Sequence, residues 1–183
     1  MARFKRFLNV AVAAGGLSIG LLAASVHAVD GRVVSVHDGD TLTVLDAQNT
    51  RHRVRLAGID APETGQPFGN AAKQSLARLA AGQWVDARCR KRDRYGREVC
   101  SVFLGAQDIG LEQVRSGLAW WYREYAREQQ PEDRATYAAA ETDAKEARRG
   151  LWREEHPTPP WSWRKQHARS GHESLLHRKP AVL

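Results

Sequence analysis

The chain has 183 residues, of which 42% are hydrophobic and 27% charged, and a formal net charge of +7. That is the scale and balance of one ordinary globular domain, and it excludes collagen-like, coiled-coil and multi-span membrane architectures. Two cysteines, Cys89 and Cys100, are too few for a disulfide-dense scaffold or a four-cysteine zinc site.

At the N-terminus, Arg3, Lys5 and Arg6 precede an uncharged run from Leu8 to Ala24, and Val26-His27-Ala28 follows. This is the pattern of a signal peptide over residues 1–28, cleaved near Ala28, which leaves a secreted or periplasmic protein. Left uncleaved, the same segment is a membrane anchor. Loss of its three positive charges takes the net charge from +7 to +4, and residues 156–183 carry that excess as Arg164, Lys165, Arg169, Arg178 and Lys179 against Glu173. The body, residues 29–155, is therefore neutral, and overall basicity says little about partners. The cluster Arg88, Arg90, Lys91, Arg92, Arg94 and Arg97 says more.

Short strands are predicted over Gly31–Val36, Thr41–Leu45 and Arg51–Ile59. In the third, Arg51, Arg53 and Arg55 share one face and Val54 and Leu56 the other. A helix capped by Asn70 carries Ala72, Leu76, Leu79 and Ala80 at helical spacing and stops at Gly82. Two more strands, Trp84–Cys89 and Arg97–Leu104, flank a polar turn containing Tyr95-Gly96. Asp108 caps a second helix, and Pro131 opens a third that ends at Gly150. Pro157, Pro159 and Pro160 then break regular structure, which makes residues 156–183 a basic tail with Trp161 and Trp163 near its start. Three strands, a helix, two strands and two helices suggest a five-stranded OB-fold barrel with helices around it.

The chemistry sits in three short stretches. Asp38-Gly39-Asp40 precedes the second strand and Asp60 closes the third, so pairing of these strands brings Asp40 and Asp60 to neighbouring ends. Two converging carboxylates with backbone oxygens nearby suit Ca2+ or Mg2+, and no His/Cys set suggests zinc. Glu63 follows Pro62 and is placed to orient or deprotonate a water beside such an ion. Arg55 and Arg97 have the fork geometry that matches phosphate oxygens. Taken singly, each of these residues is also an ordinary turn former or surface charge.

Together, Val36-His37-Asp38-Gly39-Asp40-Thr41, Arg55-Leu56-Ala57-Gly58-Ile59-Asp60-Ala61-Pro62-Glu63 and Asp93-Arg94-Tyr95-Gly96-Arg97 resemble the three signature stretches of the staphylococcal nuclease, or thermonuclease, family. The resemblance runs from about Arg32 to Trp152 and implies a five-stranded OB barrel plus three helices. It implies Asp40 and Asp60 as calcium ligands with the backbone carbonyl of Ala61, and Asp38 as a residue that reaches the ion through water. Where family members often have Thr, this chain has Ala61, which keeps a carbonyl but offers no hydroxyl. By the same resemblance Glu63 is the base or water-positioning residue, Arg55 and Arg97 stabilise the phosphoryl charge, and Tyr95 and Tyr125 contact the nucleotide. Arg123 stands near a further family tyrosine, exchanging base stacking for a phosphate contact.

The implied activity is Ca2+-dependent endonucleolytic hydrolysis of DNA and RNA to 3′-phosphate ends, with Mg2+ as a weaker substitute. Single strands are the expected preference, because they bend into a barrel-side cleft and offer bases for stacking. No obligate protein partner is implied, and a monomer is expected. The alternative is a non-catalytic nucleic-acid-binding OB-fold module, which would lack part of the set Asp40, Asp60, Glu63, Arg55 and Arg97. Cys89 and Cys100 lie on consecutive strands and form a disulfide if the register sets them opposite each other.

Overall fold

A computed structural model describes residues 27–176, with side chains through residue 168. The expected leader lies outside the described residues except for His27 and Ala28. In chain order the strands are β1 (His27–Val36), β2 (Thr41–Asp46), β3 (Arg51–Leu56), a two-residue β4 (Ile59–Asp60), β5 (Trp84–Arg92), β6 (Glu98–Leu104), and the two-residue β7 (Gln107–Asp108) and β8 (Trp120–Trp121). β3, β2, β1, β5 and β6 are hydrogen-bonded in that order, and a parallel pairing of β3 with β6 closes them into the five-stranded OB barrel.

The core follows from the two-residue period of the strands. Along β1, Val29, Gly31 and Val33 turn inward while Asp30, Arg32 and Val34 turn out. Leu42, Val44, Val54, Leu56, Val85, Ala87 and Val102 join them inside. Each large apolar side chain so buried contributes roughly 1.5–3 kcal/mol. Gly31 is required by a close approach, since a Cβ there would lie 2.4 Å from the Leu45 carbonyl oxygen. β2 departs from simple alternation. Thr41 and Thr43 are buried as well, the latter against His37 at 2.8 Å, so this strand is covered on both faces.

Three helices pack around the barrel, α1 (Gly69–Ala80), α2 (Ile109–Arg115) and α3 (Pro131–Glu146). Leu76 of α1 and Ile109 and Val114 of α2 are fully buried. Asp108 caps α2 as expected, its carboxylate accepting from the Leu111 amide at 3.2 Å. Cys89 and Cys100 face each other in the β5/β6 register and are bonded as a disulfide.

Several local expectations change. The third strand stops at Leu56 because Gly58, at φ 74°, turns the chain before β4. The residue before α1 is Phe68 in a left-handed conformation, so Asn70 lies inside the helix and caps nothing. α3 ends at Glu146, ahead of Gly150. Gly150 instead meets Gly117 across a contact that leaves no room for a side chain, a Cβ there lying 2.2 Å from the Gly117 carbonyl oxygen. The largest change concerns the tail. Pro160 is the first residue of a further helix, α4 (Pro160–Leu176), where a proline with its fixed φ and missing N–H is well tolerated. Among the described residues no helix is long and apolar enough to cross a membrane.

Candidate active site

The loop between β1 and β2 is built to present carboxylates. The Asp38 Oδ1 accepts from the Asp40 amide at 3.0 Å. A Cβ on Gly39 would lie 2.6 Å from Ala72 Cβ and 2.7 Å from Ala61 Cβ, so only glycine lets the loop pack this close. From α2, the buried Gln113 amide donates to the Gly39 carbonyl at 2.8 Å and to the Ala72 carbonyl at 3.0 Å. Asp40 is fixed in turn by Thr41 Oγ1 and by the Ala61 amide, each donating to it at 3.0 Å.

β2 pairs with β3 so that Thr41 faces Arg55, and the short β4 is tied to β8 through Asp60 and Trp120. These two pairings bring Asp40 and Asp60 to one guanidinium. Arg55 Nη1 is 3.3 Å from Asp40, and Nη2 donates to Asp60 at 2.8 Å. Burial pushes the Asp38 carboxyl up to about 6, with the Asp40 carboxylate adding to the effect. Burial also raises Asp60, opposed by Arg164 and Arg55, whose positive charges favour its ionised form. Burial alone would lower Arg55, but Asp40 and Asp60 outweigh it and raise its pKa.

Arg97 reaches the same floor from the turn before β6. Asp93 orients it, accepting from the Arg97 backbone amide at 2.9 Å and from Nε at 2.8 Å, while Nη1 donates to Thr41 Oγ1 at 3.3 Å. Burial would raise Asp93, but these bonds from Arg97 prevail and hold it below the usual carboxylate range. Thr41 therefore connects its neighbour Asp40 to Arg97, which is 56 positions away in the sequence.

Glu63 leads out of β4 on a loop held by the buried Gln66. The Gln66 side-chain oxygen accepts from the Glu63 amide at 3.2 Å, and the Glu63 carbonyl accepts from the Gln66 amide at 2.8 Å. The Glu63 carboxylate is partly exposed and accepts from Arg164 of α4 at 2.6 Å. Sequence reasoning missed Arg164, counting it among the solvated charges of the tail.

Asp38, Asp40, Arg55, Asp60, Glu63, Arg97 and Arg164 line one cleft of about 900 Å3. Tyr95 lies at its edge, 66% exposed, with the guanidinium carbons of Arg94 and Arg97 at 4.8 and 5.4 Å from its ring centre. Tyr125 lines it too, under the Lys91 ammonium at 4.6 Å. Arg123 does not. It pairs with the buried Glu141 at 2.7 Å and lies over the Trp121 ring at 4.6 Å, and its neighbour Tyr122 faces the cleft instead. The chain leaves β8 after Trp121 and enters a 3-10 helix at Arg123. Trp121 and Arg123 point to one side, where Glu141 accepts from the Trp121 amide and the Arg123 side chain, and Tyr122 points to the other. Burial and a 2.8 Å hydrogen bond to Glu124 push the Tyr122 phenol up to about 12.

The donor set fits a hard divalent cation. Asp38, Asp40, Asp60 and Glu63 offer only oxygen, the Ala61 backbone is beside them, and two guanidiniums, Arg55 and Arg164, already converge on the Asp60 carboxylate. Among the described residues, the group of His, Cys and carboxylate ligand atoms that lie within 4.8 Å of one another is His27, Cys89 and Glu98, and it is no metal centre because the Cys89 sulfur is bonded to Cys100.

Known proteins share this arrangement of sequence. An uncharacterized endonuclease of Haemophilus influenzae is 39% identical over 135 residues, covering 74% of this chain and 72% of that protein. An uncharacterized endonuclease of Escherichia coli O157:H7 is 37% identical over 145 residues, 79% of this chain and 88% of that protein. A micrococcal nuclease of Shigella flexneri is 41% identical, covering 74% of this chain and 80% of that protein. The model of the family described as staphylococcal nuclease homologue matches residues 53–154, which hold Arg55, Asp60, Glu63 and Arg97. With that match over more than half of its length, the chain belongs to the staphylococcal nuclease homologue family.

Proposed function

We propose that the protein is a calcium-dependent endonuclease that hydrolyses phosphodiester bonds of DNA and RNA and leaves 3′-phosphate ends. The observation that carries this reading is the convergence of Asp40, Asp60, Arg55, Glu63 and Arg97 in one cleft. Relatives named as endonucleases and as a micrococcal nuclease support it.

In this mechanism Asp40, Asp60 and the Ala61 carbonyl would hold the cation, with Asp38 facing the same locus. When bound, calcium supplies Lewis-acid polarisation of a non-bridging phosphate oxygen. Glu63 orients the attacking water and takes its proton as the bond to phosphorus forms. Arg55 and Arg97 bind the phosphate and stabilise the charge that gathers in the five-coordinate transition state, and the 5′-oxygen leaves. Asp93 and Thr41 keep Arg97 aimed at that position. Tyr95 and Tyr125 offer aromatic side chains along the cleft, which favours single strands, whose bases are free to stack. Mg2+ is the weaker substitute, because it demands near-ideal octahedral geometry and gives up its own waters reluctantly.

The same reading has the chain act as a monomer, exported after cleavage near Ala28, and the Cys89–Cys100 disulfide is consistent with an oxidising compartment. The test is digestion of end-labelled single-stranded DNA, double-stranded DNA and RNA with Ca2+, with Mg2+ and with chelator, followed by end-group analysis. Cleavage that needs Ca2+ and leaves 3′-phosphates is the expected result. Retention of nucleic acid without cleavage would make the protein a binding module instead.

A further inference from the structure

The family match stops at residue 154, yet the chain beyond it enters the cleft. Two contacts dock it. The Gln66 side-chain amide donates to the Thr158 carbonyl, so the residue that shapes the Glu63 loop also grips the tail. Trp161, in the first turn of α4, stacks on Tyr122 at 5.3 Å with planes 14° apart and meets Trp120 edge-on at 6.3 Å. Arg164 follows Trp161 by three positions and so falls on the same helix face.

Its guanidinium bridges two functional carboxylates. Nη2 donates to Asp60 Oδ2 at 2.7 Å, while Nη1 donates to Asp60 Oδ1 at 3.2 Å and to Glu63 Oε1 at 2.6 Å. Asp60 is nearly fully buried and further held by Arg55, so it is a rigid anchor. Glu63 is partly exposed at the end of a rotamer-rich side chain. A planar fork spanning both transfers the fixed position of the first to the second.

We propose that Arg164 is a positioning residue of the hydrolytic site, supplied by the tail, that holds the Glu63 carboxylate in register with Asp60 so that water is aimed at phosphorus. The inference rests on the endonuclease reading and extends it to a part of the chain outside the family match. Misplacement of a catalytic group by about an ångström is enough to cost roughly a hundredfold in rate.

The experiment is a double-mutant cycle on the full chain, with R164A, R164Q, R164K, E63Q and the R164A/E63Q pair assayed on a single-stranded oligonucleotide in saturating Ca2+. Melting curves check folding, and R164Q replaces R164A in the cycle if the alanine variant does not fold. R164A is expected to lower kcat by about tenfold to a hundredfold with KM within about twofold. R164K should recover part of the loss, since it keeps the charge and not the fork. In the E63Q background, R164A should add less than about twofold, because the residue acts through Glu63. Binding of a labelled single strand in chelator, where nothing is cut, should stay within about threefold of wild type.

A kcat equal to wild type would reduce Arg164 to a staple for the tail and overturn the proposal, and a raised kcat would do so by making α4 a block on the site. Independent, multiplicative losses in the double mutant would overturn it as well. Binding that falls in parallel with kcat/KM would make Arg164 a phosphate contact, again against the proposal. A wild-type chain that cleaves nothing would defeat the endonuclease reading itself, whereas an active wild type with an unaffected R164A defeats this inference alone.

Discussion

Gln113 and Gly39 are joined by a 2.8 Å hydrogen bond across 74 positions of sequence, and that bond ties helix α2 to the loop that carries Asp38 and Asp40. The same amide nitrogen holds the Ala72 carbonyl of α1. Removal of the side chain leaves a cavity and two buried carbonyls short of a partner, so Gln113→Ala is expected to destabilise the fold by about 2–4 kcal/mol. Urea unfolding measures that loss. Turnover of the remaining folded protein should fall too, because the carboxylate loop loses its outer support.

The two ligand-type aspartates differ in what else they hold. Asp60 carries two guanidiniums while only 1% exposed, so Asp60→Ala should cost about 3 kcal/mol of stability or more along with activity. Asp40→Ala should cost activity with a smaller loss of stability, and Asp40→Glu should also be poor, since the added methylene moves the carboxylate away from the Ala61 amide that fixes it. Calorimetric titration with Ca2+ reads the first property and thermal melts the second. Cleavage in excess chelator at the wild-type rate would remove the cation from the mechanism.

Arg97 depends on Asp93 for its aim. Arg97→Ala is expected to cost about 3 kcal/mol in the transition state, roughly a hundredfold in rate, and to weaken single-strand binding. Asp93→Asn keeps the shape but loses the charge that orients the guanidinium, so a milder defect of about tenfold in kcat is expected. Steady-state kinetics on both variants, with binding measured in chelator, decides the order.

A pH-dependent contribution to stability comes from His52. It sits 2.9 Å from Asp46 and 3.3 Å from Glu98. Burial would lower its pKa, but the two carboxylates prevail and raise it. Its contribution is therefore complete below about pH 6.5 and fades as pH rises through the raised value. Asp46 is lowered chiefly by the His52 hydrogen bond; burial would raise Glu98, but His52 and Arg92 outweigh it. Their contributions are present above about pH 4.5 and fade below it, which leaves a window of roughly pH 4.5–6.5 for the cluster. The gap in urea midpoint between wild type and His52→Phe should be wider at pH 5.5 than at pH 8.5. An equal gap at both would show that the histidine adds nothing through its charge.

Reduction of the Cys89–Cys100 bridge should weaken the barrel without dissolving it. A closed loop of about 15 residues contributes about 3 kcal/mol in the chain-entropy view. Unfolding with and without reductant, and of the Cys89→Ala/Cys100→Ala variant, should show a loss of that size. The β5–β6 register and the apolar core carry the rest.

Much of the cleft was legible because its residues cluster in short stretches whose order along the chain matches the order of the strands. The period of two put Arg55 opposite the core-facing Val54 and Leu56, and Asp108 declared a helix start by its chemistry. What was not legible depended on the third dimension. Asn70 looked like a cap, yet the close approach of Gly69 to the Glu63 carbonyl, where a Cβ would lie 1.9 Å away, goes with a turn two residues earlier at Phe68. The prolines before α4 read as breakers, though Pro160 stands where a helix accepts proline. Arg164 was one charge among several until the stack of Trp161 on Tyr122 fixed where it pointed.

The seam between β3 and β6 has a consequence for the life of the chain. Arg55 lies opposite Val99 there, so the two arginine-bearing segments, far apart in sequence, come together only when the barrel shuts. A nascent or partly unfolded chain therefore has no assembled cleft. Opening the β3–β6 seam alone would take the cleft apart while the antiparallel pairings of the other barrel strands stay in place.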